Sequence, residues 1–240
     1  MNELNNYERK VYSQFGEDGI TIAICEAIYG KDTDKYFVEF GVQGGGQCNT
    51  RILRQLGWNG LLMDNDNENL SINLRKEFVT RDNIIGLLKK HGVPKHIDLL
   101  SVDIDGNDFY VIDKILKEYD VDILISEYNS SRYPDEDAVI KYQEDFRWDG
   151  SDYFGASLLA LTNLMNSHGL SLVGSCFMGV NCFFVKKELV NQHLSNISDV
   201  DNVRELYYPP RYGAYPLLGH KKDPKNRQYI TSAEAIRDND

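Results

Sequence analysis

Short apolar runs alternate with helical segments through the first half of the chain, and this alternation constrains the fold most. The runs are KYFVEFGV (35–42), GLLMDND (60–66), IDLLSVDID (97–105) and VDILISEYN (121–129). Segments between them place apolar residues at helical spacing, as in GEDGITIAICEAIYG (16–30) and YVIDKILKEY (110–119). Strands that alternate with helices form right-handed βαβ units around a parallel sheet. The sequence therefore predicts an α/β fold with a doubly wound, mostly parallel, Rossmann-like sheet.

Other segments complete this prediction. Helices are expected at 48–57 and 82–92, and a helix over 67–77 is expected before a third strand that begins at Phe78 and Val79. After a loop over 130–152, GASLLALTNLMNSHG predicts an amphipathic helix. LSLVGSCF and NCFFVKK follow it, separated by MGV, and they predict a closing hairpin.

The chain has 240 residues, which is enough for one large domain with a substantial core. We expect a single domain over 1–240, with an N-terminal helical segment (1–34), a core sheet (35–187) and a C-terminal arm or lid (188–240). The stretch 207–229 contains four of the six prolines and shows little periodicity. It is therefore typical of an arm rather than of an independent domain.

Composition and charge exclude several classes of function. The net charge of −11 argues against a broad electrostatic surface for nucleic-acid binding, because such a surface needs clustered lysine and arginine. No apolar run approaches the ~20 residues that span a bilayer, and the first residues, MNELNNYERK, lack the apolar region of a signal peptide. We expect a cytoplasmic protein whose four cysteines are reduced, mostly buried thiols. The oligomeric state stays open.

A glycine-rich loop follows the first predicted strand, in VEFGVQGGGQCNT. Open parallel sheets bind ligands at the carboxyl ends of their strands, and Gly41 and Gly44 let the backbone approach a ligand closely. The spacing is not GxGxxG, and Glu39 lies two residues before Gly41. A pyrophosphate disfavours a nearby carboxylate, whereas the ammonium group of a sulfonium amino acid favours one. The alternative is a turn with a glutamate at the end of a strand.

Polar residues also follow the second and third predicted strands. Asp64, with Asn65 beside it, is placed to accept hydrogen bonds from both ribose hydroxyls of NAD or S-adenosylmethionine. The alternative is capping of the next helix, a role that Asp66 or Asn67 can also fill. Asp82 and Asn83 are placed either to bind an adenine amino group or to cap the helix over 82–92.

An acidic cluster follows the fourth predicted strand in LSVDIDGNDFYV, where Asp103 and Asp105 are joined by Asn107 and Asp108. An EF-hand is excluded because Gly106 is in the fourth position when Asp103 is counted as the first, whereas that loop needs its glycine in the sixth position. A DxD nucleotide-sugar site and capping of the following helix both remain open.

The next strand supplies two more candidates, Glu127 and Asn129. Neighbouring strand ends would bring them to Asp103 and Asp105, and such oxygen ligands suit Mg²⁺ or Mn²⁺. Without a metal, close carboxylates raise one another's pKa and supply a general base. We expect Asp103, Asp105 and Glu127 to be catalytic, and these three with Asn129 to be the candidate metal ligands.

Several segments together resemble the FkbM-type branch of class I S-adenosylmethionine-dependent methyltransferases. They are SQFGEDGI, KYFVEFGVQGGGQCNT, GWNGLLMDND, HIDLLSVDIDGNDFYVI and DILISEYN, in order between about Ser13 and Lys187. The resemblance implies a seven-stranded sheet with an antiparallel last strand. It also implies that Glu39 and Gly41 hold the methionine part of the cofactor and that Asp64 holds the ribose.

The chain departs from the family pattern in one motif, and a second motif, SQFGED, is also distinctive. Many members of the family have the motif IDxEGxE after the fourth strand. This chain has Asp105 and Asp108 at the positions where the two glutamates of that motif fall, together with Asn107. In SQFGED, Gln14, Glu17 and Asp18 are placed to close over the cofactor, or Asp18 only caps the first helix. We count Gln14 and Asp103 among the expected cofactor-binding residues.

The expected function is an S-adenosylmethionine-dependent O-methyltransferase acting on a small polar acceptor such as a sugar or a polysaccharide precursor. Aromatic residues that can bind a sugar ring, or pack as a lid, follow the fifth strand and recur in the arm: Tyr128, Tyr133, Tyr153, Tyr207, Tyr208, Tyr212 and Tyr215. Arg132 and Arg211 can meet a phosphate or carboxylate, and His220 can reach the cleft from the arm. The alternatives are a metal-dependent nucleotide-sugar glycosyltransferase and a non-catalytic protein on a methyltransferase fold.

Overall fold

A seven-stranded mixed sheet forms the centre of the protein in the computed structural model, which describes residues 3–214 and 217–239. Its strands are β1 (Tyr36–Phe40), β2 (Asn59–Asp64), β3 (Leu74–Lys76), β4 (His96–Val102), β5 (Asp120–Glu127), β6 (Leu170–Ser175) and β7 (Asn181–Lys186). Their order is β3-β2-β1-β4-β5-β7-β6. The first five strands pair in parallel, and β7 is antiparallel to both β5 and β6. The predicted fold, including the antiparallel last strand, is confirmed.

Helices cover both faces of this sheet. They are α1 (Glu17–Tyr29), α2 (Arg51–Gln55), α3 (Ile84–Lys90), α4 (Asp108–Glu118), α5 (Leu158–Ser167), α6 (Lys187–His193), α7 (Val203–Leu206) and α8 (Ser232–Arg237). Alternate residues of a strand point to opposite faces. Phe37 belongs to a core cluster with residues of α1, α2 and α6, while Val38 belongs to a second cluster with residues of α3, α4, α5 and α8. Burial on both faces explains why the strands read as continuous apolar runs. No described helix has the length and apolar character needed to cross a bilayer.

The third strand differs from its prediction. The expected helix over 67–77 is a single 3₁₀ turn, Leu70–Ile72, and β3 then pairs with β2 before Phe78 is reached. Two asparagines explain the difference. The side chain of Asn69 accepts a hydrogen bond from the Ser71 amide, and Asn73 has a left-handed backbone with a φ of 54°. Asparagine tolerates that conformation and ends the turn, so the strand begins earlier than its apolar residues indicate.

The C-terminal segment contributes to the core as well as to the surface. In α8, Ala235 is fully buried against the α4 and α5 side of the sheet. Asn239 donates a hydrogen bond to the Asp113 carboxylate at 2.6 Å, which fixes the end of the chain on α4. Between α7 and α8 the chain forms a short ribbon of β8 (Gly213–Ala214) and β9 (Leu217–Leu218). The four cysteines are buried free thiols.

A network of charged side chains lies at the amino ends of β4 and β5. The His96 Nδ1 atom lies 2.9 Å from Asp120, its Nε2 atom lies 3.2 Å from Asp122, and Lys186 bridges both acids. Partial burial lowers the pKa of His96, but the hydrogen bond to Asp120 and the charges of Asp122 and Asp98 outweigh it and raise that pKa overall. The charged imidazole therefore stabilises the folded state.

This network predicts a pH-dependent stability. The contribution of a group with a raised pKa is complete below its unfolded pKa of about 6.5 and is lost as pH rises through the higher folded value. We expect His96→Gln to lower the free energy of unfolding at about pH 5.5 and to lower it less at about pH 9. Urea unfolding at both pH values measures this, with His193→Gln on an exposed part of α6 as the control. An equal loss at both pH values would contradict the assignment.

Candidate functional site

Two open cavities lie side by side at the carboxyl edge of the sheet. The first measures about 710 Å³ and the second about 890 Å³. Gly41, Gln43, Asp103 and Asp105 line both of them. The cavities therefore meet where the loops after β1 and β4 leave the sheet, at the switch point where open α/β sheets bind ligands.

Asp64 lies at the end of β2 in the wall of the first cavity, with Asn65 beside it. One carboxylate oxygen accepts a hydrogen bond from the Gln43 amide at 2.8 Å. The other accepts from the Asp66 and Asn67 amides at 3.0 and 2.9 Å. The predicted ribose acid thus ties the loop after β1 to the loop after β2, and it faces the cavity from that junction.

Glu39 lies beneath the glycine loop and is not among the described residues that line the two cavities. It is 3% exposed. Its oxygens accept hydrogen bonds from the Asn49 and Thr50 amides, the Thr50 hydroxyl and the Ser101 hydroxyl. Burial raises the pKa of Glu39, and the bonds from Thr50 and Asn49 oppose that rise. In this structure Glu39 anchors the start of α2.

Asp82 and Asn83 lie in the turn before α3 and outside both cavity linings. The Asn83 side chain accepts from the Thr80 amide and donates to the Phe78 carbonyl, while Asp82 pairs with Arg81. Glu77, Phe78 and Val79 line the first cavity in their place. These three residues follow β3 directly, and open parallel sheets bind ligands at the ends of their strands. The sequence pattern begins this strand at Phe78, so it does not identify them as lining residues.

Asp103, Asp105 and Glu127 come together at the second cavity. Each offers a carboxylate oxygen, and these oxygens all lie within 4.8 Å of one another. Asp105 has a left-handed backbone with a φ of 58°. Asp108 stabilises that conformation because its two oxygens accept from the Ile104 and Gly106 amides, both at 2.8 Å. Asp108 therefore shapes the loop, which leaves the other three carboxylates facing the cavity.

Mutual repulsion and burial shift the ionisation of this trio, which we call the acidic trio. Burial raises the pKa of Asp103, and the charge of Asp105 raises it further. Burial and the charge of Asp103 raise the pKa of Glu127 in the same way. For Asp105, burial and the charge of Asp108 raise the pKa to about 6. The trio therefore binds protons or cations more readily than isolated carboxylates do.

Asn129 is directed away from the acidic trio. The chain leaves the sheet at Tyr128, whose amide donates to the Val180 carbonyl. The Asn129 side chain then donates to the Asp152 and Phe154 carbonyls and accepts from the Ser131 amide. It is fully buried, so it holds the following loop in place instead of joining the predicted group of metal ligands.

Gln14 lines the second cavity from the N-terminal segment. Its neighbours fix that segment. Asp18 accepts hydrogen bonds from the amides of Val11, Tyr12 and Ser13, each at 2.8 Å. Glu17 accepts from the Phe15 amide and from the Asn181 side chain. The two acids of SQFGED thus hold the loop that carries Gln14.

Aromatic residues from two distant segments complete the second cavity. Trp148 comes from the loop after β5, while Tyr212 and His220 come from the C-terminal segment. Gln43 and Gln47 add two amides from the loop after β1. Of the tyrosines named from the sequence, Tyr212 alone is among the described lining residues, and Tyr215 lies outside the part that the structure describes. No sequence periodicity marks Trp148 as part of this site.

Several of the other named side chains have structural contacts. Tyr128 donates to the Tyr208 carbonyl at 2.7 Å, and Tyr207 donates to the Ser130 carbonyl at 2.7 Å. Arg132 pairs with Asp152 at 3.3 Å. Arg211 stacks on Phe177, with its guanidinium carbon 3.5 Å from the ring centre. Neither arginine is among the described residues that line the two cavities.

Comparisons with known proteins give weak similarities. No protein-family model matches the chain, and no curated protein matches it. Two matching solved structures are described as the pyocyanin biosynthetic protein PhzM and the mitomycin 7-O-methyltransferase MmcR, at 15% and 14% identity. The TM-scores are 0.35 and 0.32, and each match covers 69% of this chain but only 55% and 54% of the other chain. At this level the likeness carries no argument about activity or substrate.

The backbones of Gly41 and Asp103 lie in close contact at the site. Gly41 has a φ of 74°, and a Cβ atom built there would lie 1.5 Å from the Asp103 carbonyl oxygen. A side chain at this position is therefore disfavoured for two reasons, because the backbone has a positive φ and because the Asp103 carbonyl oxygen occupies the space. By contrast, a Cβ atom at Gly46 meets nothing within 4 Å.

This contact predicts a sharp difference between two alanine substitutions. We expect Gly41→Ala to lower the free energy of unfolding by at least about 2 kcal/mol, because the ends of β1 and β4 must separate. Gly46→Ala should change it by less than about 0.5 kcal/mol. Urea unfolding of both variants tests this, and equal stabilities would show that the loop relaxes around the methyl group.

Proposed function

We propose that the protein is an S-adenosylmethionine-dependent O-methyltransferase of the FkbM type, which binds its cofactor in the first cavity and its acceptor in the second. The observation that carries this proposal is the junction of the two cavities at Gly41, Gln43, Asp103 and Asp105. A cofactor that extends from Asp64 towards this junction reaches an acceptor held by the acidic trio. Methyl transfer needs such an arrangement because the two reacting atoms must meet in line.

The residues of the first cavity fit this cofactor. Asp64 supplies carboxylate oxygens for ribose hydroxyls, and Asn65 lies beside it. Phe78 and Val79 supply apolar surface for a base. The Asn107 side chain also lines this cavity, and its buried oxygen has no hydrogen-bond partner among the described residues. An adenine amino group is a donor of the kind that this oxygen lacks.

Glu39 and the glycines act in support of this cofactor. Gly41 lines both cavities and lets the backbone approach a ligand closely, and Gly44 has open space around it. Glu39 contributes by fixing the start of α2, and Gln14 closes the second cavity from the N-terminal side. Asp82 and Asn83 contribute only by holding the turn that follows the cavity-lining Phe78 and Val79.

The acceptor belongs to the class of sugars and polysaccharide precursors. The second cavity combines carboxylates, the amides of Gln14, Gln43 and Gln47, and the rings of Trp148 and Tyr212. Amides and carboxylates bind hydroxyl groups, and aromatic faces bind the apolar faces of sugar rings. No lysine or arginine is among its described lining residues, which disfavours a strongly anionic acceptor.

S-Adenosylmethionine, when bound, supplies an electrophilic methyl group. The chain must orient the acceptor hydroxyl and make it more nucleophilic, since a neutral sugar hydroxyl is a poor nucleophile. The acidic trio serves this purpose in one of two ways. It binds Mg²⁺ or Mn²⁺, which lowers the pKa of the hydroxyl, or Asp103 acts as a carboxylate base.

A nucleotide-sugar glycosyltransferase is the second candidate, because the acidic trio has the spacing of a cation site. It predicts binding of UDP- or GDP-sugars that depends on manganese. Thermal shift with nucleotide sugars and with S-adenosylmethionine separates the two functions. A non-catalytic protein on this fold predicts that neither ligand leads to turnover.

Cofactor binding gives the most direct test of the proposal. We expect S-adenosylhomocysteine to bind in calorimetry and Asp64→Ala to weaken it at least about tenfold, because charged hydrogen bonds are lost. Asp66→Ala is the matched control, since Asp66 is exposed two residues away. Thermal unfolding of both variants identifies any loss of fold. An absence of binding by the wild type at millimolar ligand would refute the proposed function.

Metal removal distinguishes the two roles of the acidic trio. If a cation activates the acceptor, EDTA abolishes methyl transfer and Mg²⁺ or Mn²⁺ restores it. If a carboxylate is the base, EDTA leaves the rate unchanged. In both versions we expect Asp103→Asn and Glu127→Gln to lower turnover at least about 100-fold while cofactor affinity stays nearly intact. Wild-type rates in both variants would show the trio to be structural.

A further inference from the structure

His220 lies in the wall of the second cavity, within a cage of aromatic rings. Its ring centre lies 4.6 Å from that of Trp148, 5.3 Å from that of Phe154 and 5.1 Å from that of Tyr212. These rings fix the imidazole without using its nitrogens. Among the described residues, none forms a hydrogen bond with either ring nitrogen, although the side chain faces a cavity rich in polar groups.

The backbone around His220 is fastened to the loop that carries Trp148. The Asp152 amide donates to the Lys221 carbonyl at 2.7 Å, and the Asp223 amide donates to the Asp152 carboxylate at 2.7 Å. Arg227 then reaches back to Asp149 at 2.7 Å. We call these contacts the arm clasp. His220 precedes the clasp directly, so its place in the cavity wall is held by backbone as well as by packing.

The surroundings keep the imidazole uncharged. Burial lowers the pKa of His220, and the charge of Asp152 opposes that effect only in part. The other titratable groups that face it are the Tyr212 phenol, which packs against the ring, and the acidic trio across the cavity. Burial raises the pKa of Tyr212 to about 12, so that phenol stays neutral near pH 7. A neutral imidazole with a free nitrogen is a proton acceptor.

We infer that His220 is the general base of the proposed methyl transfer, an inference that rests on the proposed function. The acceptor hydroxyl gives its proton to the free ring nitrogen. Its oxygen electron pair forms a bond to the methyl carbon as the carbon–sulfur bond breaks, and the electrons of that bond stay on sulfur. The products are the methyl ether, neutral S-adenosylhomocysteine and an imidazolium ion, which returns its proton to water.

Under this assignment the acidic trio has a role other than that of the general base. A base is most effective when its pKa lies near the working pH. The trio instead orients acceptor hydroxyls, or a cation that lowers their pKa, and it stabilises the imidazolium ion that forms across the cavity. The carboxylate base described above becomes the competing assignment, and experiment separates the two.

The test compares two substitutions of His220 with a matched control. His220→Gln keeps a polar side chain, His220→Phe keeps the aromatic packing, and His193→Gln changes an exposed histidine on α6. Calorimetry measures the affinity for S-adenosylhomocysteine. Tritium transfer from labelled S-adenosylmethionine to a panel of monosaccharides, amino sugars and nucleotide sugars measures the rate between about pH 5 and pH 9.

We expect both His220 variants to bind S-adenosylhomocysteine within about threefold of the wild type and to lose at least about 100-fold in rate. The wild-type rate should rise with pH through the histidine pKa, and the variants should lack that rise.

Two results overturn the inference in distinguishable ways. Transfer by the wild type together with rates within threefold in both variants assigns the proton to a carboxylate and leaves the proposed function intact. Binding of cofactor without transfer to any acceptor by the wild type removes the proposed function, and the inference with it.

Discussion

The contact between the Gly41 backbone and the Asp103 carbonyl is the constraint on which the site depends. It forces the chain to leave β1 and β4 within touching distance, because no side chain separates them. The loop after β1 then bounds one side of both cavities and the loop after β4 bounds the other. The two cavities meet at this edge because two strand ends that are distant in sequence are in backbone contact.

Within this geometry the carboxylates have two different roles, in the structure of the loops and at the surface of the cavity. Asp18, Glu39, Asp64 and Asp108 each accept several hydrogen bonds from backbone amides, and they fix the loops around the site. Buried amides need such partners, so these acids are part of the framework. Among the described residues, the acidic trio has no comparable set of donors, and its carboxylates face the second cavity. One residue type thus builds the site and also supplies its chemistry.

The sequence predicts the fold well, because a sheet buried on both faces produces long apolar runs with clear ends. It fails at β3, where three residues carry too little pattern and two asparagines decide the local course. For the site, position after a strand identifies Asp64 and the acidic trio as residues at the cavities. It cannot show that the Glu39 carboxylate accepts from backbone amides or that the Asn129 side chain donates to backbone carbonyls. His220 is named from its place in the arm, but its packing against Trp148 is not predicted, because irregular loops bring the two residues together through long-range contacts.

The arm clasp gives the two cavities different sensitivities to ionic strength. Its ion pair between Arg227 and Asp149 lies at the surface, and Lys225 pairs with the same Asp149 there. Surface pairs contribute little free energy and are screened by salt, whereas buried strand ends are screened much less. Salt therefore loosens the wall of the second cavity before it affects the first.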